Sequence, residues 1–115
     1  MTTLYHYTCS HGAAGIKQLG AVYPNWHPWL DVPLAWFTNS PTPDPIALGL
    51  TSDTLDCDRT QYRFRALEVG SLVPWLGSTV QAAAPLQVQV GLQSLGQPSL
   101  WWISRKLVKA VYDDQ

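Results

Sequence analysis

The sequence predicts a single α+β domain in which most of the β-structure is antiparallel. Its 115 residues can build one hydrophobic core. Nine Pro and eight Gly indicate many turns and short elements, not a helical bundle. The chain has one Glu, Glu68, and few Lys. Because these are good helix formers that usually cover the exposed side of a helix, we expect few exposed helices. Several short segments alternate apolar and polar residues or are rich in aromatic residues, as strands are.

The first half of the chain predicts two strands and two helices. Residues 4–8 (LYHYT) form a short aromatic strand. A helix of two to three turns follows, with Ser10 as its N-cap and Gly20 after its last turn. Residues 34–38 (LAWFT) are the second strand. The Asp-Pro pair at 44–45 predicts a further short helix, with Asp as the cap and Pro at the first helical position.

The second half of the chain predicts four more strands. Residues 61–67 (QYRFRAL) and 86–90 (LQVQV) alternate with the period of two that strands have. Residues 100–104 (LWWIS) and 108–112 (VKAVY) are rich in aromatic and β-branched residues. Together these segments make strands the main element of the domain.

The composition excludes several classes of protein. A net charge of −1 gives no global attraction to duplex nucleic acid or to an anionic membrane. The hydrophobic fraction of 46% is too high for a disordered chain. No apolar run is long enough to span a membrane, and the N-terminus lacks the pattern of a signal peptide. Because Cys9 and Cys57 do not form a disulfide framework, we expect a cytoplasmic protein with two reduced thiols.

Charge is absent from one long part of the chain. Residues 69–104 contain no Asp, Glu, Lys or Arg. A neutral surface of this length is covered either by the protein's own fold or by a partner, and single exposed apolar residues are ordinary. The sequence leaves both interpretations open.

The histidines and cysteines give one candidate for chemistry and no metal site. His6 lies in the middle of the first predicted strand, where a His is either structural or functional. The three histidines, His6, His11 and His27, lack the spacing of metal ligands, so we expect no metal. Cys9 has histidines near it in sequence but no third group to orient a catalytic pair.

Two arginines share one face of a predicted strand. Arg63 and Arg65 alternate with apolar residues, so both guanidinium groups project to the same side. Two neighbouring guanidinium groups suit a phosphate or diphosphate. The alternative is surface ion pairing with Asp56, Asp58 or Glu68, which contributes little to stability.

The order of three segments resembles the ADP-ribosyltransferase fold. Members of this family often begin with a strand that carries His, then an aromatic residue or Gly, then Thr, as in YHYT at 5–8. A helix with the pattern of GIKQLG at 15–20 follows, and then a strand with an aromatic residue and Ser or Thr, as in WFT at 36–38. The resemblance covers about residues 4–67. The short chain is similar to small bacterial or phage members such as the rifampicin-modifying transferases.

The resemblance implies a fold and a ligand. The fold is a split antiparallel β-sandwich with one or two short helices, formed by a single domain over residues 1–115. NAD, as a substrate, lies in the cleft between two small sheets. His6 bonds the nicotinamide-side ribose, and the backbone near Tyr7 pairs with the nicotinamide amide. The residues expected to bind NAD are His6, Tyr7, Thr8, Trp36, Thr38, Arg63 and Arg65.

The same resemblance places a catalytic Glu on a later strand, where it would oppose developing positive charge on the ribose. In this chain the corresponding position falls near Gln93, Gln97 or Ser99, and none of these is a carboxylate. Glu68 is then the leading candidate, ahead of Asp113 and Asp114 at the end of the chain, where chains tend to fray. The expected catalytic residues are therefore His6 and Glu68.

Three functions follow from this reading. The first is NAD-dependent mono-ADP-ribosyl transfer to an unknown acceptor, which is a protein, a nucleic acid or a small molecule. The second is non-catalytic binding of an NAD-derived or phosphorylated nucleotide in the same cleft. The third is a reaction like that of the RNA 2′-phosphotransferases, which would use Arg63 and Arg65 on a phosphate. The missing late carboxylate favours the second and third over the first.

Overall fold

The computed structural model of the chain describes residues 3–26, 30–42, 62–94 and 96–113. Six of the seven strands and helices predicted within these ranges are confirmed, with boundaries shifted by a residue or two. The short helix predicted at 44–45 lies outside the described residues. In chain order the elements are β1 (Tyr5–Thr8), α1 (Ser10–Leu19), β2 (Ala21–Val22), β3 (Ala35–Thr38), β4 (Tyr62–Ala66), β5 (Val73–Pro74), α2 (Thr79–Ala83), α3 (Leu86–Gln93), a 3₁₀-helix (Pro98–Leu100), β6 (Trp101–Ser104) and β7 (Val108–Tyr112).

The described strands form an antiparallel sheet with the order β2-β7-β4-β1-β3-β6-β5. This confirms the α+β class and the antiparallel pairing. The expected split into two stacked sheets is not what the hydrogen bonding shows. The strands instead make one seven-stranded sheet, because β3 pairs with β1 on one side and with β6 on the other.

Helix α1 packs on one face of the sheet. Ala13 and Ile16 are spaced three residues apart, so both point from one side of α1 onto the sheet. The helix ends at Gly20, whose φ of 69° is the left-handed conformation that glycine adopts at little cost. We call the buried set on this face core 1; its central members are Leu4, Ala13, Ile16, Phe37, Phe64, Ala66, Val108 and Ala110.

A second buried cluster, core 2, covers the opposite face at the β3–β6 end of the sheet. Its largest member is Trp75, which is completely buried. The Nε1 group of Trp75 has no hydrogen-bond partner among the described residues, which costs about 1–3 kcal/mol. The members of core 2 are Leu30, Leu34, Trp75, Val80, Leu92, Trp101 and Ile103.

One predicted strand, 86–90, is wrong, because this segment begins helix α3. Val88 and Leu92 lie four residues apart and pack on core 2, whereas Leu86 and Val90 are exposed. The alternation of apolar and polar residues therefore does not mark two faces of a strand. Within the described ranges, none of the helices has the length and apolar character needed to cross a membrane.

Cys9 joins β1 to α1 and is the N-cap residue of the helix. It is buried and disulfide-bonded, so the expectation of two reduced thiols is wrong. The other cysteine of the chain, Cys57, lies outside the described residues.

Candidate functional site

His6 lies on β1 at the border of core 1. Its ring contacts the ring of Phe37 on β3, with the centroids 5.6 Å apart. Its Nδ1 lies 2.7 Å from the backbone oxygen of Trp36. A carbonyl oxygen only accepts hydrogen bonds, so Nδ1 carries the proton and donates it. In the neutral imidazole Nε2 is therefore the acceptor nitrogen.

The strands β1 and β3 are paired at one register position only, Tyr5 with Thr38. On its other side β1 pairs with β4 over four consecutive positions, from Tyr5 to Thr8. The sheet is therefore continuous on the β4 side of β1 and separates on the β3 side from His6 onward. The imidazole of His6 bridges this separation through its bond to Trp36.

The side chain of His6 lies on the opposite face of the sheet from the side chains of Trp36 and Thr38. Because Tyr5 pairs with Thr38, these two residues point to the same face. Successive residues of a strand alternate, so Trp36 shares the face of Tyr5 and His6 points to the other face. This differs from the cleft expected from the sequence, in which the side chains of His6, Trp36 and Thr38 meet.

Trp36 and Thr38 have packing and capping contacts on their face. The ring of Trp36 lies 5.5 Å from that of Trp75 and 5.9 Å from that of Trp101, so it is part of an aromatic cluster. Thr38 is buried, and its Oγ1 accepts a hydrogen bond from the backbone nitrogen of Ser40. These contacts give both residues a structural role on this face of the sheet.

Arg63 is held by several groups of the protein. Its Nη2 lies 3.3 Å from Oδ2 of Asp113, and its Nη1 donates to the backbone oxygen of Pro41 at 2.9 Å. Its guanidinium carbon lies 4.7 Å from the ring centre of Tyr5. The side chain is only 14% exposed. Arg63 therefore takes part in an ion pair with Asp113. Of the partners expected from the sequence, Asp56 and Asp58 lie outside the described residues, and Glu68 pairs with Lys109.

Tyr7 is buried beside Arg63, its cross-strand partner on β4. Its hydroxyl donates to the backbone oxygen of Ser40 at 3.0 Å. Burial raises the pKa of the Tyr7 hydroxyl above the ordinary value of 10.0, and the hydrogen bond and charge of Arg63 partly oppose this rise. Tyr7 and Arg63 together hold residues 40 and 41 against the sheet.

The remaining polar residues of β1 and β4 differ in accessibility. Arg65 is exposed and lies on the same face as Arg63 and Tyr5. Thr8 lies on the His6 face, where its hydroxyl packs directly against Gly12 of α1. The structure therefore brings Thr8 and His6 to one face and leaves Arg65 as the accessible arginine of the predicted pair.

Glu68 lies two residues beyond the end of β4. The residue of β4 that pairs with His6 is Phe64. Its carboxylate is 69% exposed and forms an ion pair with Lys109 at 3.8 Å. Of the positions expected to replace the family's Glu, Gln97 and Ser99 are exposed near the 3₁₀-helix, and the side chain of Gln93 lies outside the described residues. The structure does not join Glu68 to the other predicted site residues.

Three contacts around the site were not predicted from the sequence. Phe37 packs on His6, Asp113 pairs with Arg63, and the backbone oxygen of Ser40 accepts from Tyr7. Only Phe37 had a local signal, because it stands inside the WFT motif. Asp113 is 50 positions away from Arg63 in the chain, so no local pattern connects them.

Comparisons with known proteins add no relative. A scan against protein-family models, a search of curated proteins and a search of solved structures found no match to this chain. Among the residues that the structure describes, no three His, Cys, Asp or Glu side chains are grouped as metal ligands.

Proposed function

We propose that the chain binds NAD or another nucleotide that contains ADP-ribose, at the place where β1 separates from β3. The observation that supports this most directly is the position of His6. The two strand motifs of the family resemblance, YHYT and WFT, stand about 30 residues apart in sequence, and they lie on adjacent strands. Backbone N–H and C=O groups that a neighbouring strand does not pair need other partners, and a ligand amide can be one.

The geometry gives His6 a defined role in this proposal. Its Nδ1 proton is bonded to the Trp36 carbonyl, which fixes the orientation of the ring. Nε2 then acts as an acceptor, which suits a ribose hydroxyl. The backbone of Tyr7, the next residue along β1, would pair with the nicotinamide amide. Trp36 acts through its carbonyl group and not through its ring.

ADP-ribosyl transfer is the second candidate, and it uses the same ligand. In that reaction the bond between nicotinamide and ribose breaks, an acceptor nucleophile bonds to the ribose carbon and loses its proton, and nicotinamide leaves. A carboxylate normally stabilises the positive charge of the transition state. Of the three described carboxylates, Asp31 is exposed in the loop before β3, and Glu68 and Asp113 form ion pairs with other residues. The geometry therefore favours binding over transfer.

The third function has less support. A phosphotransferase-like reaction needs two guanidinium groups on one phosphate, and Arg63 is already bonded to Asp113 and to the Pro41 carbonyl. Arg65 alone is accessible on this face. Nucleotide binding is therefore the proposed function, and ADP-ribosyl transfer is the alternative that the experiments test.

The test is calorimetry with NAD, ADP-ribose and nicotinamide on three proteins. His6→Asn keeps a donor close to the position of Nδ1 but removes Nε2, so we expect an unchanged fold and at least tenfold weaker binding. Trp36→Phe is the matched control, because it keeps the carbonyl and changes a side chain on the other face. Its affinity should stay within twofold of wild type. Absence of binding by all three ligands at millimolar concentration, or equal loss in both variants, overturns the proposal.

Transfer is tested in the same samples by chromatographic assay of free nicotinamide. Nicotinamide release above the rate of NAD alone supports the transferase alternative. The variant Glu68→Gln tests whether this residue is catalytic, as the sequence predicts, or only forms a surface ion pair with Lys109. Reduced release assigns Glu68 the catalytic role predicted from the sequence, whereas unchanged release means that this assignment is wrong.

A further inference from the structure

A pocket lies at the opposite end of the sheet from β2, between edge strand β5, helix α2 and the turn after β6. Its volume is about 260 Å³. This is close to the lower end of ligand-binding pockets, which measure about 300–1,000 Å³. Its floor is apolar, formed by Val80 and Ile103, which are both buried. A pocket of this size accepts a small molecule.

The rim of the pocket is cationic. Arg105 and Lys106 both line it, and both are exposed. They follow directly after the charge-free stretch at 69–104, which supplies the rest of the lining. Within the described ranges neither side chain has a carboxylate partner. The pocket therefore combines an apolar interior with two positive charges that no neighbouring described group neutralises.

Buried Ser104 holds the backbone of the turn that carries the two cations. Its hydroxyl donates to the backbone oxygen of Lys106 at 3.0 Å and accepts from the backbone nitrogen of the same residue at 3.0 Å. The hydroxyl of Ser71 lies 2.8 Å away and joins this network. The turn is thus held on both sides of Arg105, and less ordering entropy is lost when a ligand binds.

We propose that this pocket binds a small organic phosphate, with the phosphate against Arg105 and Lys106 and the apolar part on Val80 and Ile103. Arg and Lys donate hydrogen bonds and accept none, which selects for an anion. Ser78 and Thr79 line the same pocket, and a hydroxyl group can donate a hydrogen bond to a phosphate oxygen. The site is separate from His6, since the sheet order places β3 and β6 between β1 and β5.

The experiment is an NMR titration of the whole chain with phenyl phosphate, with backbone amide shifts as the readout. We expect shifts at 78–80 and 103–106, and at least tenfold weaker binding of inorganic phosphate and of benzyl alcohol. The variant Arg105→Gln/Lys106→Gln should weaken phenyl phosphate binding at least tenfold. Lys109→Gln, which removes an exposed charge outside the pocket, is the control and should change affinity less than twofold.

Three results overturn the proposal. One is the absence of shifts at the pocket amides, and another is equal affinity in wild type and the double variant. The third is equal weakening by Lys109→Gln, which would mean nonspecific attraction to positive charge. A parallel titration with NAD follows the amides of residues 5–8 and 35–38. Failure of nucleotide binding there leaves the phenyl phosphate result unaffected, so the two proposals are judged separately.

Discussion

His6 and Trp36 are joined by a hydrogen bond from Nδ1 of the imidazole to the backbone oxygen of the tryptophan, 2.7 Å long. The bond spans two strands that are otherwise paired only at Tyr5 and Thr38. A histidine side chain therefore takes the place of a backbone donor in the ladder between β1 and β3. This placement fixes the tautomer of the ring and holds it at the separation of the strands.

The contact between β1 and α1 predicts opposite effects for two glycines of the same helix. A methyl group at Gly12 would overlap Oγ1 of Thr8, whereas the corresponding space at Gly15 is open. Gly12→Ala should lower the free energy of unfolding by about 1–3 kcal/mol. Gly15→Ala should raise it by up to about 1 kcal/mol through helix propensity. Urea unfolding measures both. The double variant Gly12→Ala/Thr8→Ala should recover most of the loss, and a loss that stays complete contradicts the overlap.

The contacts of Arg63 predict a role in stability that Arg65 does not share. Lys cannot reach Asp113 and the Pro41 carbonyl at the same time, so Arg63→Lys should lower the free energy of unfolding by about 1–2 kcal/mol. Arg65→Lys is the matched control on the same strand and face, and its effect should stay within about 0.5 kcal/mol. Thermal unfolding compares the two variants. Similar effects of both would show that the buried contacts of Arg63 contribute nothing.

Tyr7 predicts a change of stability at alkaline pH. Burial raises the pKa of its hydroxyl in the folded protein above 10.0. A raised pKa means that the folded state holds the proton more tightly than the unfolded state does. The contribution of the Tyr7 hydroxyl to the free energy of unfolding is therefore complete below pH 10, and it is lost as the pH rises through the pKa of the folded protein. The stability difference between wild type and Tyr7→Phe should therefore shrink above pH 10. Urea unfolding at several pH values from 9 to 11 tests this, and a constant difference speaks against it.

The disulfide of Cys9 predicts that reducing agents destabilise the chain. Loss of a native disulfide in a small domain costs about 2–5 kcal/mol. Unfolding in urea should therefore occur at lower concentration when a reductant is present. The variant Cys9→Ala should show the same loss without reductant and no further loss with it. A thiol assay of the native protein that finds two free thiols contradicts the disulfide itself.

Local sequence patterns were enough to predict most elements of the fold. The strands β1, β3, β4, β6 and β7 and the helix α1 have strong signals over four to ten residues. Helix α3 was misassigned because Leu86, Val88 and Val90 alternate with glutamines, and alternation alone does not reveal whether a neighbouring strand is present. Val88 and Leu92 meet core 2 at helical spacing instead.

The candidate site was harder to predict than the fold, because it depends on register. The motifs YHYT and WFT are visible in the sequence, but their relative faces follow from the pairing of Tyr5 with Thr38. A shift of this pairing by one residue would place His6 and Trp36 on one face. The partner of Arg63 had no local signal either, since Asp113 comes from the end of β7.

Strands β3 and β6 each supply side chains to both cores. Ala35 and Phe37 enter core 1, while the ring of Trp36, between them, packs on core 2. On β6, Ile103 belongs to core 2 and Trp102 packs on core 1. Because both cores depend on β3 and β6, neither core can lose its packing while the other stays intact. The two cores should unfold in a single cooperative transition, and the central amides of β3 and β6 should be the last to exchange with solvent.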